Sequence, residues 1–190
     1  MKNFFKVLIL IFVLQSFSKA DDIRDFQIEG MSIGDSLLDY FNIKDIKKIN
    51  YNNSKKFLMT NHTSKKFKTY DEVNFHYKSK DRKFIIHELN GAIYYPNNIQ
   101  KCYDKRSEIL QEIKKIFPNS KTLTQKIREH PADRSGESTY TYDAFILDNG
   151  RIGIECADWG AKMTSKGFTD GLLLFIETNE FSSWISSDAH

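Results

Sequence analysis

The stretch Asn97–Phe117, NNIQKCYDKRSEILQEIKKIF, constrains the fold of this chain more than any other. Ile99, Cys102, Arg106, Ile109, Ile113 and Ile116 recur at spacings of three and four. Leu110 and Phe117 widen the stripe, while Lys101, Asp104, Lys105, Glu108, Glu112 and Lys115 fill the opposite side. That period predicts an amphipathic helix. Such a helix cannot bury its own stripe and needs a surface to lie on. Arg106 is the one polar member of the stripe. Cys102 is on the apolar side, so its partner is expected in the surface beneath.

The flanks read mostly as strands. Before the helix, Phe57-Leu58-Met59 is a short apolar run, and Val73, Phe75 and Tyr77 alternate with Asn74, His76 and Lys78. Ser79–Arg82 can turn the chain into a longer strand over Phe84–Tyr95, with a bulge expected where alternation slips near Asn90-Gly91. Pro96 ends that strand, and an Asn can cap the helix. Further upstream, Ser32 and Asp35 fit a capping box opening a short helix over Ile33–Phe41. Ile43, Ile46 and Ile49 suggest another turn or two, and Tyr51–Lys56 is a polar loop. After the helix, strands are expected over Lys121–Arg128, Thr139–Leu147 and Arg151–Ala157. Asp148-Asn149-Gly150 is a hairpin turn between the last two. Ile152, Ile154 and Cys156 then share one face, and Leu172–Thr178 reads as the central strand. Asn179–Ile185 closes as a helix through Phe181, Trp184 and Ile185. The expected fold is α+β, with antiparallel sheet and helices packed on one face, in two similar halves, 21–96 and 97–190.

Residues 1–20 read as a secretory signal peptide: a basic start, the apolar run Val7–Leu14, and Ser18-Lys19-Ala20 at the cut. The run is too short for a permanent anchor, and no cysteine near the cut suggests lipid attachment. The mature chain, 21–190, is then one domain. The signal holds Lys2, Lys6 and Lys19 and no acid; without those three of the 28 basic residues, the remainder is balanced against 25 acids. A neutral mature chain argues against nucleic acid or an anionic membrane surface as partner. Two cysteines in an exported chain pair, Cys102 with Cys156. Periplasmic or secreted localisation follows.

Common catalytic signatures are absent: Gly-x-Ser-x-Gly, His-Glu-x-x-His, a phosphate-binding glycine loop and Cys-x-x-Cys. No catalytic residue, cofactor or metal is expected. The candidate ligand contact is the loop holding His130, Asp133, Arg134 and Ser135, with Arg134 as anchor for an anionic or polar ligand. Against it, Asp133 and Ser135 are also turn formers that bond their own backbone. His76 and His87 can begin a metal site if a third ligand joins them, and are otherwise half-exposed sheet residues. Tyr140, Tyr142, Asp158 and Trp159 suggest an aromatic surface for sugars or a partner protein, set against ordinary strand packing.

Asp21–Phe26, Gly30–Phe41, His130-Pro131-Ala132-Asp133 and the two cysteine segments resemble those of uncharacterised exported small proteins of Pelagibacter-type alphaproteobacteria. Gly30-Met31-Ser32 opening a helix also resembles small periplasmic modules of the outer-membrane assembly lipoprotein and β-lactamase-inhibitor kind. The first resemblance implies export and no particular activity; the second implies a binding role. The expected function is an exported, non-enzymatic protein that binds an envelope or extracellular protein, or a small ligand. The alternative is a small hydrolase or ligand-binding enzyme using His130, Asp133 and Ser135. Amino-terminal sequencing of the exported protein should read Asp21-Asp22-Ile23; a chain still starting at Met1 contradicts cleavage.

Overall fold

The computed structural model describes residues 22–50 and 56–187. The expected signal segment, and the polar loop from Tyr51 apart from Lys56, lie outside the described residues. The strands are β1 (Ile49–Asn50), β2 (Phe57–His62), β3 (Glu72–Lys78), β4 (Ile86–Tyr94), β5 (Lys121–Glu129), β6 (Thr139–Leu147), β7 (Gly150–Asp158) and β8 (Gly171–Thr178). The helices are α1 (Ile99–Ile116), α2 (Ala161–Thr164) and α3 (Asn179–Ser187). All eight strands form one antiparallel sheet in the order β1-β2-β3-β4-β8-β7-β6-β5. The expected α+β class with antiparallel sheet is what is seen. Each run of four strands starts at an edge and ends in the middle, where β4 pairs with β8.

Helix α1 forms where its periodicity placed it. Asn98 caps it by accepting from the Lys101 N–H, and the Phe117 N–H closes it on the Ile113 carbonyl. Its stripe meets the face that carries Ile152, Ile154 and Cys156 of β7 and Leu172, Leu174 and Ile176 of β8, all buried. Cys102 and Cys156 are joined. Arg106, the polar member of the stripe, pairs with the buried Asp143 of β6 on this same face. The 22–46 segment continues the cover, burying Ile23, Ile28, Met31, Ile33, Leu37 and Ile46 in the same core.

Three expectations change. The Ile33–Phe41 helix is instead a set of turns with a 3-10 turn at Leu37–Asp39. The Asp35 carboxylate does accept from the Ser32 N–H at 2.9 Å, but the Ser32 hydroxyl bonds the Phe26 carbonyl and Gly34 N–H donates to Ile86, so the chain is held to the β3–β4 hairpin rather than wound into a helix. The bulge in β4 falls at His87, where the register jumps from His76↔Glu88 to Tyr77↔Ile86, and not at Asn90-Gly91. Gly91 meets another need: a Cβ there would come within 2.4 Å of the Tyr70 ring.

The helices do not share one face. Phe181 and Trp184 of α3 pack on Phe57 in a second, separate cluster, and Phe181 also covers His76. By strand alternation Phe57 and His76 point away from α1. Leu172–Ile176 is apolar at every position, so its sequence period could not say that both faces would be covered. A β4-to-α1 exit on one face and a β8-to-α3 exit on the other also separates the two halves in design.

The disulfide closes a segment of 54 residues. The protein made in an oxidising compartment and denatured without reductant should show no free thiol. Replacing both cysteines by alanine should cost up to about 4 kcal/mol in urea unfolding, the loop-entropy ceiling. A variant as stable as wild type contradicts this.

Candidate functional site

The face of the sheet away from α1 carries an ordered set of polar residues. Read across β3, β4, β8 and β7, the register places His76, Glu88, Glu177 and Arg151 side by side. Glu88 is 4% and Glu177 3% exposed, a rare burial for carboxylates. Each has a cationic or hydrogen-bonding partner on its outer side: His76 Nδ1 lies 2.6 Å from Glu88, and Arg151 Nε donates to Glu177 at 2.5 Å. Burial pushes the Glu177 carboxyl above the usual range, against the pull of Arg151. Asn90 donates to Glu88 at 2.7 Å, and Asn74 donates to Asn90 at 3.0 Å. A hydrogen-bonded chain therefore runs from the row beneath α3 out to Asn74.

Two strand positions further along, the face is open. Phe175 lies flat over Gly153, where a Cβ would come within 2.1 Å of its ring. Tyr142 stacks on that ring at 6.2 Å, with Arg151 5.8 Å from its centroid on the charged side. Beyond Phe175 the β7–β8 connection, residues 159–170, folds over the sheet and leaves a cleft of about 290 Å³. Asn74, Ala92, Glu155, Ala157 and Leu173 line it from the strands, and Tyr94, Trp159, Phe168 and Thr169 from the rim. Trp159 and Phe168 are in ring contact at 4.7 Å and also wall a second hollow on the far side of the connection, with Pro96 and Asn97. Tyr94 and Phe168 are large exposed aromatics. The Asn74 side-chain carbonyl has no hydrogen-bond partner among the described residues.

The 130–136 loop stands behind this cleft. His130 packs against Trp159 at 4.2 Å and Tyr140 at 5.3 Å, and its Nε2 lies 3.4 Å from the Glu155 carboxylate. Its Nδ1 accepts from the Ala132 N–H. Asp133 faces a different way. Its carboxylate accepts from the N–H and hydroxyl of Ser135 and of Ser138, and the Ser138 hydroxyl in turn accepts from the Gly160 N–H. The Ser138 and Ser135 hydroxyls hold the Asp133 carboxyl far below the usual range. This clasp joins the loop to the start of the 159–170 connection. Arg134 and Ser135 are exposed. The four loop residues thus divide: His130 buttresses the cleft, Asp133 and Ser135 build the turn, and Arg134 projects outward.

The other sequence candidates are also placed. His76 and His87 both point to the α3 side, His76 to Glu88 and His87 toward Phe57 and Glu180. Among the described residues no group of three or more His, Cys, Asp or Glu side chains is arranged to hold a metal ion. Trp159 reaches the cleft, Tyr140 and Tyr142 pack beside it, and Asp158 turns to the α1 face by alternation. Sequence reasoning missed Asn74, Tyr94, Glu155 and Phe168. Polar Asn74 and Glu155 alternating with apolar neighbours hinted at an uncovered sheet face.

No family model, curated protein or solved structure matches the chain.

Asp133→Asn should lower the melting temperature at neutral pH. A depressed folded-state carboxyl contributes stability above its unfolded pKa, about 3.9 for Asp, and loses it as pH falls through the folded value. The gap between wild type and variant should therefore narrow below about pH 4; melting curves from pH 7 to pH 2 check it, and a pH-independent gap contradicts it.

Proposed function

We propose that this is an exported, non-enzymatic binding protein, and that its ligand is a small polyhydroxylated molecule of the saccharide class held in the Trp159 cleft. The observation that carries the reading is the pairing of exposed aromatic rings with fixed planar polar groups. Trp159, Phe168 and Tyr94 can stack against the C–H face of a sugar ring. The Asn74 carbonyl and the Glu155 carboxylate, positioned by Asn90 and His130, can accept from its hydroxyls. Small concave sites of mixed apolar and polar lining are the usual place for such ligands.

The residues at the cleft are suited to holding rather than cleaving. Hydrolysis of a glycosidic bond ordinarily needs two carboxyl groups about 5–9.5 Å apart, and the cleft lining offers Glu155, already beside His130. The hydrolase alternative pairs His130 with Asp133 and Ser135, whereas the Asp133 carboxylate is occupied by Ser135 and Ser138 and the acid beside His130 is Glu155. Export is supported by the Cys102–Cys156 disulfide, which persists in oxidising compartments. Among the described residues no helix is long and apolar enough to cross a membrane.

The chain has two tryptophans, and Trp184 is buried between α3 and the sheet, so ligand-dependent emission changes report on Trp159. Titration with a panel of neutral and amino-sugar oligosaccharides should give a saturable fluorescence change. Trp159→Ala should abolish the fluorescence change, and Asn74→Ala should weaken binding by about tenfold, the loss expected for one buried hydrogen-bond partner. No saturable change with any saccharide, or binding by calorimetry that survives Trp159→Ala, overturns the reading.

A further inference from the structure

The opposite end of the sheet carries a second feature, independent of the cleft. Strand β5 is the outermost strand, nine residues long, and pairs with β6 on one side. The other edge ends in the two-residue β1. Sheet edges are commonly protected by lysines and bulges, and β5 has both: Lys121, Lys126 and Arg128, and a register shift between Gln125 and Arg128. Edge protection does not account for what lies beside it. Between β5 and α1 runs a groove of about 610 Å³, lined by Tyr103, Arg106, Thr124–Ile127 and Thr141. Thr141 is 6% exposed, yet its hydroxyl has no hydrogen-bond partner, and neither has the buried Nε of Arg106. Buried donors without partners are uncommon and costly. Both line a groove whose lip carries Ile127, 60% exposed, and the Lys126 ammonium chain.

We infer that β5 and this groove dock an extended acidic peptide segment of a partner protein, added as a ninth strand beside β5. Main-chain pairing with the edge supplies affinity, and alternate side chains reach the groove. An Asp or Glu side chain there meets Lys126 at the lip, with the unpartnered Arg106 Nε–H and Thr141 hydroxyl buried in the wall behind it. Apolar side chains between the acids turn to the other face, where they pack on Leu123, 44% exposed, while Ile127 borders the acids at the lip. The charge of the edge selects the occupant. Three bases against the single acid Glu129 favour an acidic strand and repel a second copy of β5 laid beside the first.

The test uses the mature protein and a fluorescein-labelled nine-residue peptide of alternating Val and Glu, acetylated and amidated so that only side chains carry charge. Saturable anisotropy is expected, with new amide-exchange protection in β5 and affinity falling with added salt. The Val-Lys counterpart should not bind. Lys126→Glu and Ile127→Glu change exposed side chains, and each should weaken binding by about tenfold or more; Thr141→Val should weaken it less. Trp159→Ala should leave it unchanged, which separates this surface from the saccharide cleft. Absence of saturable binding, equal binding of the Val-Lys peptide, indifference to Lys126→Glu, or dimerisation of the protein alone that buries β5 in sedimentation and exchange experiments overturns the proposal.

Discussion

The packing of α1 across β7 and β8 is the contact on which the rest of the molecule depends. An 18-residue helix is about 27 Å long and about 10 Å across, whereas eight strands at about 4.8 Å spacing make a sheet more than 30 Å wide. One helix cannot cover that face. Its apolar stripe is therefore placed over the two central C-terminal strands, pinned by Cys102–Cys156 and oriented by Arg106–Asp143. The irregular 22–46 segment covers more of the face. The strip beside β5 stays open because α1 stops short of it, and the buried donors of Thr141 and Arg106 sit there as a consequence.

The other face solves a different problem. Its middle is held by charge rather than by a hydrocarbon layer. In the row His76, Glu88, Glu177, Arg151 the two buried carboxylates are neighbours, and each has its partner on the strand at its outer side, which is the condition under which buried ionisable groups are tolerated. Phe181 shields the His76 end of the row, while Asn90 and Asn74 lead from it into the open. Affinity at a shallow cleft depends on polar groups that are already positioned before a ligand arrives. Here the buried row positions Asn74, and the Asp133 clasp positions the Trp159 connection.

The same chain of contacts explains why one loop contains residues of different roles. His130 is adjacent to Trp159 and Glu155, while Asp133, three residues on, is turned into Ser135 and Ser138. An imidazole, a carboxylate and a hydroxyl close in sequence suggest a catalytic group. In space the carboxylate satisfies local donors, because an Asp at a turn finds its own backbone sooner than a distant ring.

What the sequence by itself determined was everything governed by local period and by chemistry between few residues. The 3.6-residue stripe specified α1, the alternations specified most strands, Asp148-Asn149 specified the hairpin, and two cysteines on inward-facing positions specified the crosslink. Arg106 stood out along the chain as the one polar member of the stripe, and its acid, Asp143, was known only from the fold. Tertiary structure alone decided which strands became neighbours, since β4 beside β8 joins residues some eighty positions apart. It decided the fate of 33–41, whose short periodic pattern was overridden by bonds to the β3–β4 hairpin. It also decided that α3 would take the second face, because a strand apolar at every position is compatible with cover on either side. The row of Glu88 and Glu177, and the assembly of Asn74, Glu155 and Trp159 into one cleft, are not given by any single segment, although alternation around Asn74 and Glu155 hinted at an uncovered face. They exist only as a register across strands, and register is set by the packing of the whole sheet rather than by any single segment.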